Sequence, residues 1–359
     1  MPQPGLGRDP TAEAAQAIPV TVLTGFLGSG KTTVLNHLLA QPGLANTAVL
    51  INEFGAVGLD HLLVRKIDES VVLLNSGCLC CTVRGDLVTA ARDLFLKRVK
   101  GEVPEFARLT IETTGLADPA PILHTLMTDP FLGARYRLDG IVATIDAIHG
   151  WAQLDRQPEA VKQAAVADRL LLTKCDGASL ERIEALAGRL VRLNPAAPLI
   201  RVAYGVVAPE RILGAGLFQP GRKHPDVARW LNDEAVRAAA SAHDHPRHDP
   251  NRHDEHIAAF ALIYDQPLEW PRLVLALDLL IAAKGDGLLR LKGIVNVAGR
   301  SGPLVLHGVQ HQFHPPVELG EWPDVDRRSR LIFITRDLSQ AAVEAVLAAS
   351  GLGPPAASA

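Results

Sequence analysis

The stretch Val20 to Thr33, VTVLTGFLGSGKTT, leaves a chain few choices of fold. An apolar, β-branched run ends at Gly25, a glycine-rich loop follows, and beyond Lys31 the apolar residues Val34, Leu35, Leu38 and Leu39 recur at helical spacing. Gly25 to Thr32 fits G-x-x-x-x-G-K-[ST], the phosphate-binding loop between a strand and a helix. Gly25, Gly28 and Gly30 let the backbone turn its N–H groups inward, with Ser29 and Thr33 flanking the key positions, and the helix start adds its positive end to the anion site. Lys31 is expected to reach the β- and γ-phosphates as a catalytic point charge, and Thr32 to place a hydroxyl on Mg²⁺.

Apolar strand candidates follow at 47–52, 70–74, 107–111, 140–145, 168–172 and 198–202, with helical patterns in most intervals. That alternation predicts an α/β domain of the P-loop NTPase kind, a mostly parallel sheet with helices on both faces. Its span is 17–215, preceded by a loose tail at 1–16. Between 216 and 256 the apolar pattern weakens and His243, His245, His248, His253 and His256 cluster among prolines and acids, which reads as a histidine-rich linker. Strand and helix patterns return over 257–350 as a small α+β domain, and 351–359 form a second tail.

Three further stretches carry chemistry. In Thr173-Lys174-Cys175-Asp176, after a buried strand, Asp176 can accept from the ring N–H and amine of guanine while the Lys174 stem lies along the base, which favours GTP over ATP. Glu112 ends another strand, with Gly115 close behind, so Glu112 is expected in the Mg²⁺ and water network and Gly115 at the γ-phosphate. Finally, Cys78, Cys80 and Cys81 crowd three thiols into four residues. Thiolates select soft or borderline ions. A three-thiolate site leaves a position for water, another ligand or a receiving protein, while vicinal thiols can alternatively act as a redox sensor. Cys175 reads as a packed residue rather than a ligand.

Taken together, GFLGSGKTT at Gly25, Asn52-Glu53-Phe54-Gly55, Gly77-Cys78-Leu79-Cys80-Cys81, Glu112 to Pro119 and Thr173 to Asp176 resemble the CobW family of GTP-dependent metallochaperones, relatives of HypB and UreG. Arg290 to Gly293, Val309, Trp322 and Arg330 to Arg336 are similar to the family's C-terminal domain. The resemblance implies GTP hydrolysis coupled to delivery of a metal, commonly Zn²⁺ and in some members Co²⁺, with Cys78, Cys80 and Cys81 as its ligands. It also places Asn52 and Glu53 in a nucleotide-responsive switch. Ala56 stands where many members carry an acid. Cobalt delivery for cobalamin synthesis, metal insertion into an enzyme such as nitrile hydratase, a zinc buffer and a redox-responsive GTPase are the alternatives.

The 36 basic and 39 acidic residues nearly cancel, so no global charge argues for nucleic acid or an anionic membrane. Leu273 to Ala283 is too short to span a bilayer and residues 1–18 lack a signal-peptide pattern, so a cytoplasmic protein is expected. The expected partner is a client metalloprotein. Oligomeric state stays open, a homodimer included.

Overall fold

The computed structural model describes residues 17–41, 44, 46–52, 72–76, 83–215, 231, 236, 256–313 and 315–356. The amino-terminal tail, nearly all of the histidine-rich linker and the end of the carboxyl-terminal tail lie outside them. Two compact units result, one holding the strands before residue 202 and the other those after residue 256.

In the first unit the described strands are β1 (Ile18–Gly25), β2 (Thr47–Asn52), β3 (Val72–Ser76), β4 (Arg108–Glu112), β5 (Tyr136–Asp146), β6 (Arg169–Thr173) and β7 (Leu199–Arg201). They form one sheet in the order β3-β2-β4-β1-β5-β6-β7, and every pairing is parallel. All eight residues of β1 are buried, as in a parallel sheet covered on both faces. On one face the helix Lys31–Leu39 presents Val34, Leu35, Leu38 and Leu39 to Leu23, Val49, Val142 and Leu171. The expected strand at 70–74 lies at Val72–Ser76, because pairing with β2 carries it past its apolar residues to Asn75 and Ser76. Chain order reverses around β1. Ligands of such sheets bind beyond the carboxyl ends of the strands at that point.

Register fixes what meets there. Leu23 and Ile51 each pair with Glu112, Asn52 with Ser76, Gly25 with Thr144, and Asp146 with Thr173. The ends of β3, β2, β4, β1, β5 and β6 therefore share one edge.

The described strands of the second unit are β8 (Ile257–Tyr264), β9 (Leu288–Val295), β10 (Leu304–Val309), β11 (Gln312–Phe313), β12 (Val317–Glu318) and β13 (Ser329–Arg336). They form an antiparallel sheet ordered β11-β10-β9-β13-β8, with β12 paired to β10. Helices Trp270–Lys284 and Gln340–Ala349 supply Leu273, Leu277, Leu280, Val343 and Leu347 to a core shared with Leu262, Leu291, Leu306 and Leu331. Phe260 and Phe333 stack in that core at 5.4 Å between ring centres. Among the described residues no helix is long and apolar enough to cross a membrane.

Candidate nucleotide-binding site

Between β1 and its helix the chain turns through positive φ at Gly25 (143°), Gly28 (71°) and Gly30 (90°). A Cβ at Gly25 would collide with the side chain and carbonyl of Thr144, so that position admits only glycine. Three hydroxyls tie the loop to its neighbours. Ser29, fully buried, shares a 2.6 Å hydrogen bond with Thr144 Oγ1. Thr144 Oγ1 donates to the Thr24 carbonyl at 3.2 Å, and Thr173 Oγ1 donates to the carbonyls of Ser29 at 2.7 Å and Ile145 at 3.0 Å. Lys31 Nζ donates to the carbonyls of Gly25 at 2.9 Å and Phe26 at 3.3 Å, which keeps the ammonium folded over the loop. No side chain caps the helix that starts at Lys31. The positive end of a helix favours an anion. Thr33, two positions beyond Lys31, is exposed.

Thr32 Oγ1 donates to Glu112 Oε1 at 2.8 Å, and Glu112 is only 4 % exposed. A hydroxyl and a buried carboxylate at contact distance make the all-oxygen donor set that Mg²⁺ prefers, so these residues fit the ion. Beyond Glu112, Thr113 N donates to the Leu23 carbonyl at 2.9 Å and keeps the chain alongside β1. Gly115 then presses on the phosphate loop. A Cβ there would lie 2.5 Å from Leu27 N and 2.7 Å from Leu27 Cα.

On the base side, Lys174 adopts a left-handed conformation (φ 56°) and its Nζ donates to Asp146 Oδ2 at 2.7 Å. Asp146, 1 % exposed, also accepts at Oδ1 from the backbone N–H groups of Ile148 at 2.7 Å and His149 at 3.1 Å. The lysine is thereby held over the end of β5. Asp176 is exposed and accepts from the Tyr204 N–H at 2.8 Å, which orients its carboxylate. Between them, Cys175 Sγ donates to the Leu172 carbonyl at 3.1 Å, and burial pushes its thiol above the usual range.

The structure thus brings Gly25, Gly28, Ser29, Gly30, Lys31, Thr32, Glu112 and Gly115 around one loop, with Lys174 and Asp176 beyond β5 on the same edge. Asp146 and Thr144 carry no assignment in the sequence analysis, and Thr173 enters it only as the first residue of the Thr173 to Asp176 motif. Asp146 could have been suspected from an acid ending an apolar strand, whereas Thr144 is indistinguishable from an ordinary strand residue. Of Asn52 only the backbone, the end of β2, is described; Glu53, Cys78, Cys80 and Cys81 lie outside the described residues. β3 ends at Ser76, two positions before Cys78. Among the described residues no group of three His, Cys, Asp or Glu side chains is arranged to hold a metal.

Two family models match the chain. Residues 19–201 match the CobW/HypB/UreG nucleotide-binding domain, and residues 257–350 the cobalamin synthesis protein cobW C-terminal domain. The zinc chaperone YjiA of Escherichia coli is 33 % identical, covering 92 % of this chain and 98 % of its own. The zinc chaperone CobW of Pseudomonas aeruginosa is 29 % identical over 91 % of this chain and 89 % of its own length. Among solved structures, Zn(II)-bound YjiA GTPase from E. coli superposes with a TM-score of 0.67 at 30 % identity, covering 93 % of this chain and 98 % of that one. The chain belongs to the CobW/HypB/UreG family, with a nucleotide-binding domain followed by a cobW C-terminal domain.

Proposed function

We propose that this protein hydrolyses GTP and uses the nucleotide cycle to hand zinc, held by Cys78, Cys80 and Cys81, to a client metalloprotein. One observation carries the reading: the phosphate loop, Glu112 and the end of β3, which leads into the cysteine loop, lie on one edge of the sheet. Only β2 separates β3 from β4, so the end of β3 is two strand spacings, roughly 10 Å, from Glu112. The names of the relatives agree. Besides the two zinc chaperones, a zinc-regulated GTPase metalloprotein activator of Dictyostelium discoideum is 28 % identical over 92 % of this chain.

Each residue then has a physical task. Lys31 and the loop N–H groups bind the phosphates, Asp176 reads guanine, and Lys174 supports the base while Asp146 holds it in place. Thr32 and Glu112 would hold Mg²⁺, which when bound neutralises charge on the β- and γ-phosphates. With the γ-phosphate present, the segments after β2 and β4 are ordered around it, and the cysteine loop beyond β3 takes the geometry that retains metal. Hydrolysis removes those contacts and lowers the affinity. Because thiolates are the ligands, loading releases protons and weakens as pH falls.

Replacing Cys78, Cys80 and Cys81 by Ala in the reduced protein tests the metal assignment. Bound zinc should fall by about one ion per chain, with GDP binding retained. Unchanged stoichiometry and affinity would move the site elsewhere.

A further inference from the structure

Gln163, on the helix Pro158–Val166, is 1 % exposed and reaches away from its own helix. Its Nε2 donates to two main-chain carbonyls of the segment after Glu112, those of Gly115 at 3.2 Å and Ala117 at 2.9 Å. A carboxamide nitrogen carries two hydrogens, one for each carbonyl. Beside it, Lys162 Nζ donates to Asp118 Oδ2 at 3.2 Å, and Asp118 Oδ1 accepts from the Ala120 N–H at 3.0 Å, at the start of the helix Ala120–Thr128. From the other side, Thr113 Oγ1 donates to Thr24 Oγ1 at 2.9 Å and to the Thr114 carbonyl at 3.2 Å.

Both peptide units that flank Gly115 are therefore held by side chains. Thr113 fixes the Thr114 carbonyl, whose peptide carries the Gly115 N–H, and Gln163 fixes the Gly115 carbonyl. Between these two anchors the glycine lies against Leu27 of the phosphate loop, with no space for even a methyl group.

We infer that Gln163 is a positioning residue for nucleotide-state sensing: its carboxamide holds the Gly115 peptide against the phosphate loop, so that loop and segment respond to the γ-phosphate as one unit. This rests on the GTPase reading above. GDP lacks the γ-phosphate, so a clamp with this role affects GTP selectively, whereas a residue that merely stabilises the domain affects both nucleotides or neither.

The test uses the full chain and three variants. Gln163→Met keeps the length and loses both donors, Gln163→Glu turns an acceptor toward two carbonyls, and Lys162→Ala releases the same segment at the part-exposed Asp118 pair. Affinities for GDP and for a non-hydrolysable GTP analogue with Mg²⁺ are measured beside kcat and KM for GTP. For Gln163→Met the GDP affinity should stay within about twofold, while analogue affinity falls about tenfold and kcat by ten- to a hundredfold, the scale expected for a misplaced group. Gln163→Glu should be at least as impaired. Lys162→Ala should shift the same ratio by about threefold, and it decides the matter if a Gln163 variant does not fold. An unchanged ratio of analogue to GDP affinity, with an active wild type, overturns the role of Gln163 alone. A wild type that binds and hydrolyses no GTP overturns the functional reading beneath it.

Discussion

Lys174 combines a left-handed backbone with a salt bridge to a buried carboxylate, and Asp146 bears the larger share of that arrangement. Asp146 accepts three hydrogen bonds from a nearly fully buried position, so Asp146→Ala leaves two backbone N–H groups and the ammonium without their acceptor. Two lost backbone bonds at about 1 kcal/mol each, plus a charge-assisted one attenuated by the partial exposure of Lys174, give a loss of about 2–4 kcal/mol. Thermal unfolding should show it as a lower Tm, accompanied by weaker GDP binding; an unchanged Tm would contradict the assignment. At this scale the sequence was legible where chemistry and spacing coincide, as in the loop Gly25 to Thr32. It was opaque where one partner is remote. Nothing local distinguishes Gln163 from any helical glutamine, and its partners lie 48 and 46 positions away.

The elements were legible in proportion to their periodicity. Strands buried on both faces are continuous apolar runs, so β1, β2, β4 and β6 announce themselves, and Ser339 marks the last helix by accepting from the Ala342 N–H. β11 and β12 are two residues long and carry no period, so only pairing with β10 defines them. The turn between β12 and β13 is likewise built from charge. Asp326 accepts from the Arg328 side chain through both oxygens, each at 2.9 Å, and from the Arg328 N–H at 3.0 Å. Those bonds hold its carboxyl down to about 2 from an ordinary 3.8. A depressed carboxyl stabilises the fold above its unfolded pKa, and the contribution disappears as pH falls through the folded value. Acid unfolding of the wild type should therefore include a stability loss between about pH 4 and about pH 2 that Asp326→Asn removes. Identical acid profiles for the two proteins would show that the turn adds nothing.

For the whole molecule, the fold places chemistry rather than creating it. A parallel sheet gathers the ends of six strands on one edge, and the sequence distances between the phosphate loop, Glu112, Asp176 and the end of β3 vanish there. The strand order responsible was not legible, since apolar runs state that strands pair but not which. β3 at the far end of the row and β1 at the switch point are products of topology alone. That arrangement gives the central claim its physical content: nucleotide state and the thiolate site share free energy, and by linkage each shifts the other's affinity. A zinc competition titration on reduced protein, once with a non-hydrolysable GTP analogue and Mg²⁺ and once with GDP, measures the coupling directly. The account predicts affinities at least about fivefold apart, tighter in the GTP-like state. Equal affinities would contradict it and leave a nucleotide-binding protein that carries zinc without releasing it on command.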